Sequence, residues 1–144
     1  MKRTVKPICL VILIAAAVIF FGRFFLDMFD LIEYELPLSQ DVSNILQVDL
    51  LDTSGEEISV LRSITAEEFD QFISDLMAVG VERHVNDPVI EHGDKTIRIC
   101  YQDGGYDLLG DKVDFFDQSG EPLDEGGWFC INPDDLYSLF IKYS

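Results

Sequence analysis

Ile97-Arg98-Ile99-Cys100-Tyr101-Gln102-Asp103-Gly104-Gly105 is the stretch that decides the fold. Ile97, Ile99 and Tyr101 alternate with Arg98, Cys100 and Gln102, the two-residue period of a strand with one buried face. Asp103-Gly104-Gly105 then supplies turn chemistry, and residues 106–109 run back. A strand returning through so tight a turn has an antiparallel neighbour, so the chain builds a meandering sheet.

Toward the N-terminus, Leu46, Val48 and Leu50 alternate with Gln47 and Asp49 as a second half-buried strand. Asp52-Thr53-Ser54-Gly55 turns the chain, and Ile58 and Val60 mark the return strand of a hairpin. Thr65 and Glu68 stand at capping-box spacing, and Phe69, Phe72, Ile73 and Leu76 follow as one apolar helical stripe. Gly80 stops that helix. Residues 81–91 are less regular, and Pro88 makes them an edge strand or loop.

Toward the C-terminus, Val113 and Phe115 form a short strand, Asp117-Gln118-Ser119-Gly120 a turn, residues 121–127 an acidic glycine-containing loop, and residues 128–131 the last strand. Asn132 caps a terminal helix with Pro133 at its first position and Asp134 and Asp135 on its positive end. Leu136, Leu139, Phe140 and Tyr143 are its buried stripe. The expected fold class is α+β: a mostly antiparallel meandering sheet with two amphipathic helices on one face, occupying residues 42–144. No fixed-period repeat or low-complexity tract interrupts it.

The N-terminus has a different character. Lys2, Arg3 and Lys6 precede residues 8–26, a 19-residue apolar segment interrupted only by Gly22 and Arg23. As a helix it would be about 28 Å long, close to a bilayer's hydrocarbon thickness. The basic flank predicts a cytoplasmic N-terminus with the remaining mass outside. A cleaved signal peptide is the competing reading. Ala15-Ala16-Ala17 lies inside the apolar run, however, and the bulky Phe20-Phe21-Gly22-Arg23-Phe24-Phe25 where cleavage would fall favours an uncleaved transmembrane signal-anchor over residues 1–26. Residues 27–41 read as a juxtamembrane linker.

Beyond residue 26 the chain holds six basic and 27 acidic residues, a net −21 against −17 for the whole. Such a surface repels nucleic acid and attracts cations or basic peptides. Catalytic signatures do not emerge. His84 and His92 lack metalloprotease spacing, and neither a serine elbow nor a phosphate-cradling glycine loop is present. The Asp-Gly loops fall short of an EF-hand pattern, and no cofactor is implied. Cys100 and Cys130 read first as two unpaired thiols in the sheet; a disulfide closing a loop of 29 residues is the other reading, feasible if their strands adjoin. Asp103, Gly104, Gly105, Glu121, Asp124, Glu125 and Trp128 form the candidate interaction surface, with Trp128 either a binding anchor or a core-edge seal.

The apolar anchor, the Leu46-Gln47-Val48-Asp49-Leu50 strand, the helix over 65–76, the Ile97-to-Gly104 run and Gly127-Trp128-Phe129-Cys130-Ile131 before a helix resemble small anchored or secreted α+β domains of Gram-positive bacteria whose function is uncharacterised. The resemblance spans most of the chain and supplies no active-site residue. The expected function is a single-pass membrane protein presenting an acidic, non-enzymatic interaction domain to a basic protein or peptide, in the manner of an inhibitor or immunity protein. A small carboxylate-dependent hydrolase and a structural envelope subunit are the alternatives.

Overall fold

The computed structural model describes residues 5–28, 34–84, 93–123 and 128–144. The chain divides into two compact units, residues 1–32 and residues 33–144. The first contains α1 (Val5–Met28), a single 24-residue helix. Among the described residues no helix is long and apolar enough to cross a membrane.

The second unit is α+β. Its strands are β1 (Ile45–Asp52), β2 (Ser59–Ser63), β3 (Val81–His84), β4 (Lys95–Tyr101), β5 (Tyr106–Leu109), β6 (Lys112–Phe116) and β7 (Trp128–Ile131), and its helices α2 (Phe69–Leu76) and α3 (Pro133–Tyr143). The strands form one sheet in the order β2-β1-β4-β5-β6-β7-β3, every pairing antiparallel. Strands β4 to β7 are the expected meander. The irregular segment after Gly80 becomes β3, an edge strand on the far side of β7. Pro88 and His92 lie outside the described residues, as do Phe29, Leu31, Ile32, Asp124 and Glu125.

Register assigns the two faces. Val48 pairs with Ile99 and Leu50 with Ile97, and Leu109 stands opposite Ile97 on the other side. These side chains share one core with Phe72 and Leu76 of α2 and Leu136, Leu139, Phe140 and Tyr143 of α3. Both helices therefore cover the same face, with Phe72 and Tyr143 edge-to-face at 5.0 Å. Each fully buried Leu or Ile here contributes about 2–3 kcal/mol. Asn132 caps α3 as expected, accepting from the amides of Asp134 and Asp135.

Three expectations need correction. The domain begins before residue 42. Tyr34 bridges to Val81, Leu36 is buried in the core, and Ser39 donates through both its amide (3.0 Å) and its hydroxyl (2.5 Å) to the buried Asp107 carboxylate. Tyr101 donates its hydroxyl to the same carboxylate at 2.5 Å. Residues 34–40 are thus a strap within the fold instead of a linker. Second, Leu46 is 70 % exposed, because the β1–β4 register shifts between Ile45 and Gln47 and removes Leu46 from the inward alternation.

Third, α2 starts at Phe69, four residues after Thr65. Glu68 does reach back to the Thr65 amide at 3.4 Å, but the Thr65 hydroxyl donates to that same carboxylate instead of capping an amide, and Arg62 grips the carboxylate at 2.7 Å. Cys100 and Cys130 are unbridged, as the favoured reading had them. Cys100 stands opposite Tyr106, Tyr106 opposite Phe116, and Cys130 opposite Lys112 at the other end of β6. Three strand spacings of about 4.8 Å exceed the roughly 7 Å Cα limit of a disulfide.

Replacing Asp107 leaves the buried Tyr101 hydroxyl and the half-buried Ser39 amide and hydroxyl without this acceptor. Asp107→Ala is expected to destabilise the second unit by about 2–4 kcal/mol. Chemical denaturation of the full chain in detergent measures this, and an unchanged midpoint would show that the strap is not held through this carboxylate.

Candidate functional site

Turn chemistry accounts for the acidic residues at one end of the sheet. Asp103 accepts from the Gly105 amide at 2.9 Å and from the Gln40 side-chain amide at 2.8 Å, which hold its carboxyl below the usual range. Gly104 takes φ +94°, a left-handed conformation that glycine adopts without Cβ strain. A Cβ at Gly104 would stand 3.3 Å from Gln118, so the β4–β5 turn lies against the turn after β6. In that second turn Asp117 accepts from Ser119 and from the Glu121 amide, and these bonds lower its carboxyl too.

The structure therefore brings Asp103, Gly104, Gly105 and Glu121 to one end of the sheet. Trp128 is placed differently. It opens β7, where it pairs with His84 of β3 and lies under the Lys112 ammonium, 5.0 Å from the ring centre. It is half-buried, in keeping with a sealing role. Asp124 and Glu125 lie outside the described residues, so their relation to this end of the sheet is not part of the geometry.

Paired charges on the open face were not visible from sequence. Asp49 is fully buried although it alternates onto the polar side of β1. It accepts from Arg98 at 2.7 Å, Ser63 at 2.6 Å and Gln47 at 2.6 Å. Burial raises its proton affinity, but the bonds from Ser63, Arg98 and Gln47 and the Arg98 charge outweigh it and the net displacement is downward. On the helix side, Asp75 accepts from Lys142 and Tyr143, each at 2.5 Å, and from Gln71 at 3.0 Å. These partners, Lys142 foremost, lower its pKa to about 2. Asp75 and Lys142 border a shallow cavity of about 230 Å³ between α2 and α3.

Asp52 pairs with Lys95 at 2.8 Å, and its proton affinity falls well below that of a free carboxylate, chiefly through that bond. Arg62 pairs with Glu68, and Lys112 lies 3.7 Å from Asp114. Arg62, Lys95, Arg98, Lys112 and Lys142 thus each meet a carboxylate of this chain. Among the described residues no group of three or more His, Cys, Asp or Glu is arranged to hold a metal ion.

A second cavity of about 410 Å³ opens on the sheet face away from the helices. Leu51 and Thr96, each 1 % exposed, form its floor, with Leu108, Ile58 and Thr53 as walls and Asp94 on the rim. Sequence offered no sign of it, since its walls come from β1, β4, β5 and the β1–β2 turn.

No protein-family model matches the chain, and neither a curated protein nor a solved structure matches it. The resemblance to anchored Gram-positive domains accordingly rests on the sequence features alone.

The Asp75 carboxyl is more acidic folded than unfolded. Its contribution to stability is complete above the unfolded value near 4 and is lost as pH falls through about 2. The urea midpoint should drop across that window, and Asp75→Asn should flatten that part of the profile. An identical acid profile in the variant would remove Asp75 as a source of the acid sensitivity.

Proposed function

We propose that this chain is a single-pass membrane protein presenting an acidic, non-enzymatic domain outside the cytoplasm to a basic protein or peptide. The observation that carries this reading is the partition of charge. Four of ten basic residues lie in the first 23 positions, and all 27 acidic residues follow. The basic flank before residues 8–26 favours retention of the N-terminus in the cytoplasm. Continuity of α1 over Val5–Met28 supports an anchor, since 24 helical residues rise about 36 Å. The described apolar side chains of α1 are exposed, Ile19 and Phe20 at 71 % each, as lipid-facing residues would be.

The internal use of the cations supports the second half of the reading. With Arg62, Lys95, Arg98, Lys112 and Lys142 engaged by carboxylates, the remaining acids define the field a partner meets. Asp41, Asp49, Asp52, Glu68, Asp75, Asp103 and Asp117 are each shifted downward. They remain charged at neutral pH, which suits electrostatic capture of a basic partner.

Protease added to intact spheroplasts is expected to remove residues 34–144 while the N-terminal fragment stays with the membrane. Digestion only after lysis would overturn the outward topology, and a mature N-terminus beyond residue 26 would replace the anchor with a secreted form. The immobilised full chain should retain a lysine-rich peptide at about 0.05 M salt and release it at about 0.5 M, where the screening length falls to a few Å. Retention unchanged across that range would refute electrostatic recognition.

A further inference from the structure

The two edges of the sheet are built differently. Strand β3 carries exposed Glu82 and Arg83, buries Val81 and is bridged by Tyr34, all features that discourage an added strand. Strand β2, at the opposite edge, exposes apolar side chains instead: Val60 is 53 % and Leu61 47 % exposed, with Ile58 just before it at 64 %. Among the described residues no strand pairs with its outer side.

Charge decides what fits there. Exposed Glu56 and Glu57 precede β2, and exposed Glu67 follows it. The cations nearest in sequence are engaged, Arg62 by Glu68 and the Tyr143 carbonyl and Lys95 by Asp52. A second copy of the domain, with the same acid surplus, is repelled. Leu61 is the extra residue of a bulge in the β1–β2 register, which twists the edge and suits a short segment better than a long strand-to-strand dimer.

We propose that β2 takes up a short, extended, basic segment of a partner protein as an eighth strand. Its apolar side chains lie against Val60 and Leu61, and its cations face Glu56, Glu57 and Glu67. Backbone hydrogen bonds to the edge supply affinity, and the flanking carboxylates favour a basic segment. This inference rests on the proposed capture of a basic partner and assigns it a site away from the Asp103 and Glu121 turns.

The test titrates the full chain in detergent micelles with a blocked hexapeptide of alternating lysine and valine, its counterpart N-methylated at alternate amides, and a glutamate–valine control. Calorimetry and amide NMR shifts are the readouts. The lysine–valine peptide is expected to bind and to shift residues 58–63, with at least tenfold weaker binding after N-methylation or in Val60→Lys. Ile58→Lys, also at an exposed position, should act alike. Thermal unfolding confirms that each variant folds. Salt-sensitive binding indifferent to N-methylation and to both lysine variants would overturn the edge site and leave the acidic-domain reading standing. No binding of this peptide, with lysine-rich peptide still retained on the immobilised chain, overturns the edge site alone; loss of both overturns the two together.

Discussion

The pairing of β1 with β4 is the constraint on which the rest of the second unit depends. Seven residue pairs join strands whose paired residues Asp49 and Arg98 lie 49 positions apart, and every other strand attaches to one side or the other of this pair. Its register places Val48, Leu50, Ile97 and Ile99 under the helices and Asp49 and Arg98 on the open face. A slip of one residue would exchange the two sets, leaving four aliphatic side chains in water and an ion pair in the core. The Asp49–Arg98 contact is therefore as much a register mark as a source of stability, for a buried pair gains little over a well-packed apolar one once desolvation is counted.

Charge organisation follows from the same arrangement. An acidic chain with few cations needs to keep its buried and clustered carboxylates satisfied, and it does so by spending the cations internally. Asp49, Asp52, Glu68 and Asp75 each have a basic partner, while Asp103 and Asp117 are satisfied by backbone amides and neighbouring side chains within turns. What remains is an uncompensated negative surface. The proposed anchor, partner and edge site are consequences drawn from that surface and from the basic-then-apolar N-terminus.

Much of the fold was legible because its signals are local. Two-residue alternation placed β1 and β4, Gly-containing turns separated β4, β5 and β6, and Asn132-Pro133 with two acids marked the start of α3 to the residue. The candidate surface was read less well. Asp103 and Glu121 do share one end of the sheet, yet their neighbourhood is explained by turn hydrogen bonds, and Trp128 sits in β7 beneath Lys112. Asp107 carried an overlooked signal: it stands two positions before the buried Leu109, so the strand period alone turns it inward. No comparable signal existed for the strap, because Pro37 and the polar run after it look the same in a linker as in a segment latched to a buried carboxylate.

From sequence alone came the element types, the α+β class, the charge partition and the apolar N-terminal segment, since each depends on residues within a turn or two of one another. Tertiary structure decided the strand order, the separation of Cys100 from Cys130, the burial of Asp49 and Asp107, and the cavity over Leu51 and Thr96. Each of these is a meeting of residues far apart in the chain. Local periodicity says which way a side chain points along its own strand but not which strand lies beside it, and that neighbour determines whether a thiol finds a thiol, a carboxylate a donor, or an edge nothing at all.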